Sequence, residues 1–122
     1  MERHAYICNN CELNLNDHKA DRMYAVNDEG KRIMCFHPGE MRRAYAILGD
    51  VTDEEFKTRT GVMYPYVCLD CAHEFQMDLE RDLKECTKCH SKDFEMVPKM
   101  GGKQCPRCKT GIIEEFETGM II

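Results

Sequence analysis

The stretch "KQCPRCKTG", residues 103–111, is the fourth C-x-x-C pair in a chain of 122 residues. The others are "CNNC" at 8–11, "CLDC" at 68–71 and "CTKC" at 86–89. Two thiols three apart supply half of a tetrahedral metal site, so the fold turns on which pair completes which. Apolar residues make up 43% of the chain, but nine of them are Cys. Val, Ile, Leu and Phe together number only 23, and Trp is absent. So thin a core requires a staple, either disulfides or structural metal.

The start "MERHAYICNN" has no apolar core of a signal peptide, and no apolar run approaches a membrane span. The expected location is cytoplasmic, with no membrane partner. Thiols stay reduced there, and an odd number of cysteines suits a disulfide framework poorly. Metal is the expected staple.

The chain reads as a small metal-stabilised α+β protein. Its expected parts are an N-terminal zinc finger over 1–48, a helical joint over 49–62 and a zinc-ribbon region with three knuckles over 63–122. In the first part "RMYAV" and "KRIMCF" flank the turn signal "NDEG". Pro38 and Gly39 open a helix that Gly49 closes, with Met41, Ala44, Tyr45 and Leu48 on one packing face. "TDEEF" offers a capping box from Thr52 to Glu55, ahead of a stop at Gly61. "DLERDLKE" suits one helical turn or a solvated loop, and from Met63 onward units of 15–20 residues alternate knuckles with β-prone runs.

Cys68, Cys71, Cys86 and Cys89 form C-x2-C-x14-C-x2-C, the spacing of a four-thiolate zinc site. Each C-x-x-C turn aims two sulfurs at one point, and two turns complete a tetrahedron. "YPYVCLDCAHEF" with "KECTKC" resembles the FmdB-type regulatory zinc ribbons through Tyr66, Cys68, Cys71, His73, Phe75, Cys86 and Cys89. The resemblance spans roughly residues 64–97 and implies a zinc ribbon. Ala72, Thr87 and His90 stand where that family tends to have Gly, Pro and Gly. "CPRCKTGIIEE" is similar, over a shorter match, to knuckles of bacterial topoisomerase tail ribbons.

For the N-terminal half, Cys8 and Cys11 precede a hairpin, and Cys35 and His37 precede a helix. That order resembles a treble-clef finger, and three thiolates with one imidazole make an accepted zinc set. Its C-x-H spacing is shorter than usual for that class. A cross-braced RING is disfavoured by the 30-residue gap between His37 and Cys68. This scheme leaves Cys105 and Cys108 without a partner. They alternatively pair with Cys8 and Cys11, leaving Cys35 free. Closing 93 rather than 23 residues costs only about 1 kcal/mol more chain entropy, against roughly 10–16 kcal/mol from structural zinc. A third pairing sets "CPRC" against "CTKC". All ten side chains are candidate ligands: Cys8, Cys11, Cys35, His37, Cys68, Cys71, Cys86, Cys89, Cys105 and Cys108. Two zinc ions per chain are expected, or three if His4, His18, His73, His90 or a second chain completes a further set.

Iron of the rubredoxin type is disfavoured because Glu12, Ala72, His90 and Lys109, not glycine, follow the knuckles. No βαβ pattern surrounds any pair, which argues against a thiol–disulfide oxidoreductase. No nucleotide fingerprint or catalytic triad is distinguishable, so a non-enzyme without a small-molecule substrate is expected. The net charge is −5, and each four-thiolate zinc site adds −2. Residues 81–109 run the other way, with Arg81, Lys84, Lys88, Lys92, Lys99, Lys103, Arg107 and Lys109 against four acids. The expected function is a zinc-binding adaptor or regulator contacting nucleic acid or a nucleic-acid-associated protein. A protein-only accessory module, docking through groups such as the terminal "GMII", and an iron electron carrier are the alternatives.

Overall fold

In the computed structural model, residues 2–16, 22–36 and 39–120 are described. The expected α+β class holds, with few helices and antiparallel sheets. The chain divides into a discontinuous unit, residues 1–20 with 64–122, and a continuous one, 21–63. This differs from the expected order of finger, joint and ribbons. The cause is the company kept by the first knuckle, whose strand pairs with the last strand of the chain.

The continuous unit holds β3 (Arg22–Val26), β4 (Arg32–Cys35), α1 (Glu40–Leu48), α2 (Asp53–Arg59) and the first residues of β5 (Thr60–Cys68). The turn signal "NDEG" works as expected. The Asn27 carboxamide oxygen accepts from the backbone N–H groups of Glu29 and Lys31, and Gly30 takes φ +82°. Strand β3 pairs on one side with β4 and on the other with Thr60–Met63. Gly61 therefore does not merely stop a helix; it lies opposite Tyr24 in a strand. The Thr52 hydroxyl caps α2 by accepting from the Glu55 N–H at 3.1 Å. At the other end of α2, Arg59 donates twice to the Val26 carbonyl, at 2.8 and 3.1 Å, and pairs with Asp28.

Ala25, Cys35, Ala44 and Leu48 form this unit's core. The expected apolar face of α1 is only half buried. Ala44 and Leu48 point inward, whereas Met41 and Tyr45 remain 52% and 47% exposed. Tyr45 stacks instead on Phe56 at 4.7 Å between ring centroids.

The discontinuous unit is built twice to one plan. In its first half, β1 (Glu2–Cys8) is flanked by β2 (Asn14–Asn16) and β8 (Ile113–Met120). In its second half, Tyr64–Cys68 of β5 is flanked by β6 (Glu74–Met77) and β7 (Phe94–Met96). The registers coincide. Tyr6 faces Leu15 as Tyr66 faces Phe75, and Cys8 faces Ile113 as Cys68 faces Phe94. Ile113 and Phe94 each lie five residues beyond the second Cys of a knuckle. Tyr6, Leu15, Ile113, Val67 and Met100 pack around one knuckle pair. Tyr66, Phe75 and Met77 pack around the other. "DLERDLKE" is a loop of turns, pinned where the Asp78 carboxylate accepts from the Glu80 N–H and Asp82 accepts from the Asp78 N–H.

Candidate metal centres

Each knuckle places its sulfurs by the same local device. After the second Cys the chain steps into the left-handed region, with φ +63° at Glu12, Ala72 and His90 and +64° at Lys109. That step turns the chain back into an antiparallel partner. The N–H of Cys8 reaches the carbonyl of Leu13, Cys68 that of His73, and Cys86 that of Ser91. Backbone N–H groups then converge on the leading sulfur: Asn10 and Cys11 on Cys8, Asp70 and Cys71 on Cys68, Lys88 and Cys89 on Cys86, all at 3.3–3.5 Å. The missing glycines, which weighed against iron, do not prevent this geometry; four ordinary residues adopt the strained φ.

Two sets of four sulfurs result, Cys8/Cys11/Cys105/Cys108 and Cys68/Cys71/Cys86/Cys89, each with all sulfurs within 4.8 Å of one another. A tetrahedron with metal–sulfur bonds of about 2.3 Å has edges of about 3.8 Å. The measured edges are 3.6 Å for Cys8–Cys108 and Cys11–Cys105, 3.5 Å for Cys68–Cys89 and 3.7 Å for Cys71–Cys86. No cysteine is in a disulfide. The donor chemistry and the spacing therefore both fit a thiophilic metal ion in each set.

The second set is the one expected from spacing. The first brings Cys105 and Cys108 to Cys8 and Cys11, the alternative pairing the sequence allowed, and Cys35 is not part of it. Cys35 is buried among Ala25, Ala44 and Leu48, with its thiol toward the Ile33 carbonyl. Burial raises its pKa, Arg43 eases that rise and Glu40 adds to it. His37 lies outside the described residues, as does His18. His73 stacks on Phe75 and hydrogen-bonds Thr87 at 3.1 Å, and His90 faces Glu85 at 3.6 Å. Neither joins a cluster of metal-ligating type among the described residues.

The metal-free thiols titrate as coupled groups. The N–H groups of Thr110 and Gly111, with the Asn10 side chain, bring Cys108 down to about 5. Burial, then the Cys11 and Cys8 sulfurs, take Cys105 up to about 11 despite the N–H groups of Cys108 and Arg107. In the second set burial raises Cys86, but the N–H groups of Cys89 and Lys88 outweigh it and bring the thiol to about 7. The Ser91 N–H draws Cys89 down, yet desolvation and three neighbouring sulfurs take it up to about 12. In each set some thiols are drawn down and others pushed up by their neighbours, a spread that a bound dication would relieve.

The basic segment is partly committed to holding these sites. Arg107 donates to the Cys11 carbonyl at 2.6 Å, Lys109 to the Leu69 carbonyl at 2.5 Å, and Lys103 pairs with Glu95 at 2.8 Å. Lys84, Lys88 and Lys92 are exposed and make no side-chain hydrogen bond or ion pair among the described residues. None of the described helices is long and apolar enough to cross a membrane.

No protein-family model, characterised protein or solved structure matches the chain, so the likeness to FmdB-type ribbons rests on its residues alone.

Proposed function

We propose that this is a non-catalytic protein holding two structural zinc ions, whose paired zinc ribbons serve as an adaptor or regulatory surface for nucleic acid or a protein bound to it. One observation carries the structural role of the metals. Each set supplies four cysteines from the chain itself and leaves no coordination position for water or substrate. A closed thiolate site stabilises a fold; catalysis by zinc needs an open position. Zinc is the metal proposed because closed four-cysteine sets are its common structural coordination, and elemental analysis separates it from iron. The nucleic-acid surface would centre on Lys84, Lys88 and Lys92 around the second set, where no internal partner competes for the charge.

The protein-only reading keeps support from the internal commitments of Lys103, Arg107 and Lys109, which leave fewer cations for phosphate. Elemental analysis with binding to mixed nucleic acid at increasing salt tests the proposal. Two zinc per chain and affinity that falls steeply with salt are expected. Iron in place of zinc rejects the metal assignment, and absence of binding at low salt leaves the protein-only module.

A further inference from the structure

The two thiolate sets follow one plan but differ in how they meet solvent, and from that difference we infer that Cys89 is an oxidation site through which hydroperoxides release the second zinc while the first stays bound. The inference rests on the two-zinc reading above. Cys8 and Cys105 are buried and Cys11 and Cys108 half-buried, whereas Cys89 is exposed. A cavity of about 310 Å³ also opens beside Cys86, lined by Met77, Leu83, Thr87 and His90 among others.

By contrast the first set has no exposed cysteine, its Cys11 and Cys108 being half-buried. The backbone of Gly111 lies so close that a Cβ there would sit 2.4 Å from the Cys8 sulfur. Donors also surround its sulfurs: the Gly111 N–H and the Thr110 hydroxyl reach Cys108 at 3.3 and 3.6 Å. The Arg107 guanidinium stands beside Cys11, donating to its backbone carbonyl at 2.6 Å. Donors and a cation spread thiolate charge and reduce nucleophilicity, and partial burial slows access of the oxidant.

The chemistry balances with a hydroperoxide as oxidant. The Cys89 thiolate attacks one peroxide oxygen and the O–O bond breaks. This gives the sulfenic acid and an alkoxide or hydroxide, which takes a proton from water. The Cys68 thiolate, 3.5 Å away, then displaces hydroxide from the Cys89 sulfur and forms a disulfide. Two sulfurs together lose two electrons, the peroxide gains them, and zinc leaves unchanged as Zn²⁺ for want of two ligands.

The test uses the full zinc-loaded chain with limiting hydrogen peroxide. Released zinc is followed by a chromophoric chelator, and the modified cysteines are mapped by mass. Elemental analysis before oxidation checks the two-zinc reading separately, so the two failures are distinguishable. The expected result is one zinc released roughly ten-fold faster than the other, with thiol loss confined at that stage to Cys89 and a partner in its own set. Release of both ions together, first loss among Cys8, Cys11, Cys105 and Cys108, or oxidation of Cys35 with both ions retained would each overturn the inference.

Discussion

Replacing Gly111 by alanine tests the long-range site at its tightest point. The added Cβ would meet the Cys8 sulfur at 2.4 Å, the Asn10 Cβ at 2.8 Å and the Asn9 Oδ1 at 3.1 Å. Carbon and sulfur need well over 3 Å, so one partner must retreat by roughly 1 Å. In the zinc-loaded protein the sulfur would be tethered to the ion, and the Cys105 N–H bonds the Gly111 carbonyl at 2.8 Å, so neither side would yield cheaply. Overpacking costs about 1–3 kcal/mol, and this tethered case belongs at the upper end. About 3 kcal/mol is roughly a hundred-fold weaker retention of one zinc. Two glycines in the same unit serve as controls. A Cβ at Gly101 meets only the Glu115 side chain, at 3.2 Å, and one at Gly102 meets nothing within 4 Å, though its φ of +83° carries strain. Zinc competition against a chelator reads all three. Gly111→Ala should lose one ion far more readily, while Gly101→Ala stays close to wild type. Wild-type retention in Gly111→Ala, or loss from the Cys68/Cys71/Cys86/Cys89 set instead, would refute the reasoning.

Ala72→Gly should raise stability by about 1 kcal/mol, because a residue with a Cβ now occupies φ +63°; thermal melts of the zinc-loaded protein check it. Cys71→Ser and Cys89→Ser should each drop one zinc and collapse the amide dispersion of β6 and β7 while leaving the other ion bound. Tyr66→Phe should stabilise by roughly 1 kcal/mol in denaturant titrations, since the buried Tyr66 hydroxyl has no hydrogen-bond partner among the described residues. Burial first, then Tyr64, Glu95 and Asp78, raise the Tyr66 pKa. The native state therefore keeps that proton when the unfolded chain has lost it, and stability falls as pH rises above about 10. Tyr66→Phe should flatten that fall.

The site at Cys68, Cys71, Cys86 and Cys89 was legible because both halves sit within one short hairpin length. The other was left open because 93 intervening residues carry no spacing signal. A different signal was present. "YICNNCELNL" and "YVCLDCAHEF" share Tyr-x-Cys-x-x-Cys followed by an apolar residue at the same offset, and Ile113 follows Cys108 as Phe94 follows Cys89. Read together, these assign the first and fourth knuckles to one unit. Closing 93 rather than 14 residues adds about 1.7 kcal/mol of chain entropy, small beside the metal's contribution. The helices were legible through Thr52, Gly39 and Gly49. The exposure of Met41 and Tyr45 was not, because periodicity marks a face without saying how much room lies beneath it.

The central claim is that the first and last knuckles share one metal. Cadmium NMR of the metal-substituted protein, correlating each cadmium with the cysteine Hβ protons it couples to, reads ligand sets directly. The account predicts one cadmium coupled to Cys8, Cys11, Cys105 and Cys108 and a second coupled to Cys68, Cys71, Cys86 and Cys89, with Cys35 coupled to neither. A cadmium shared by Cys8, Cys11 and Cys35 would contradict it.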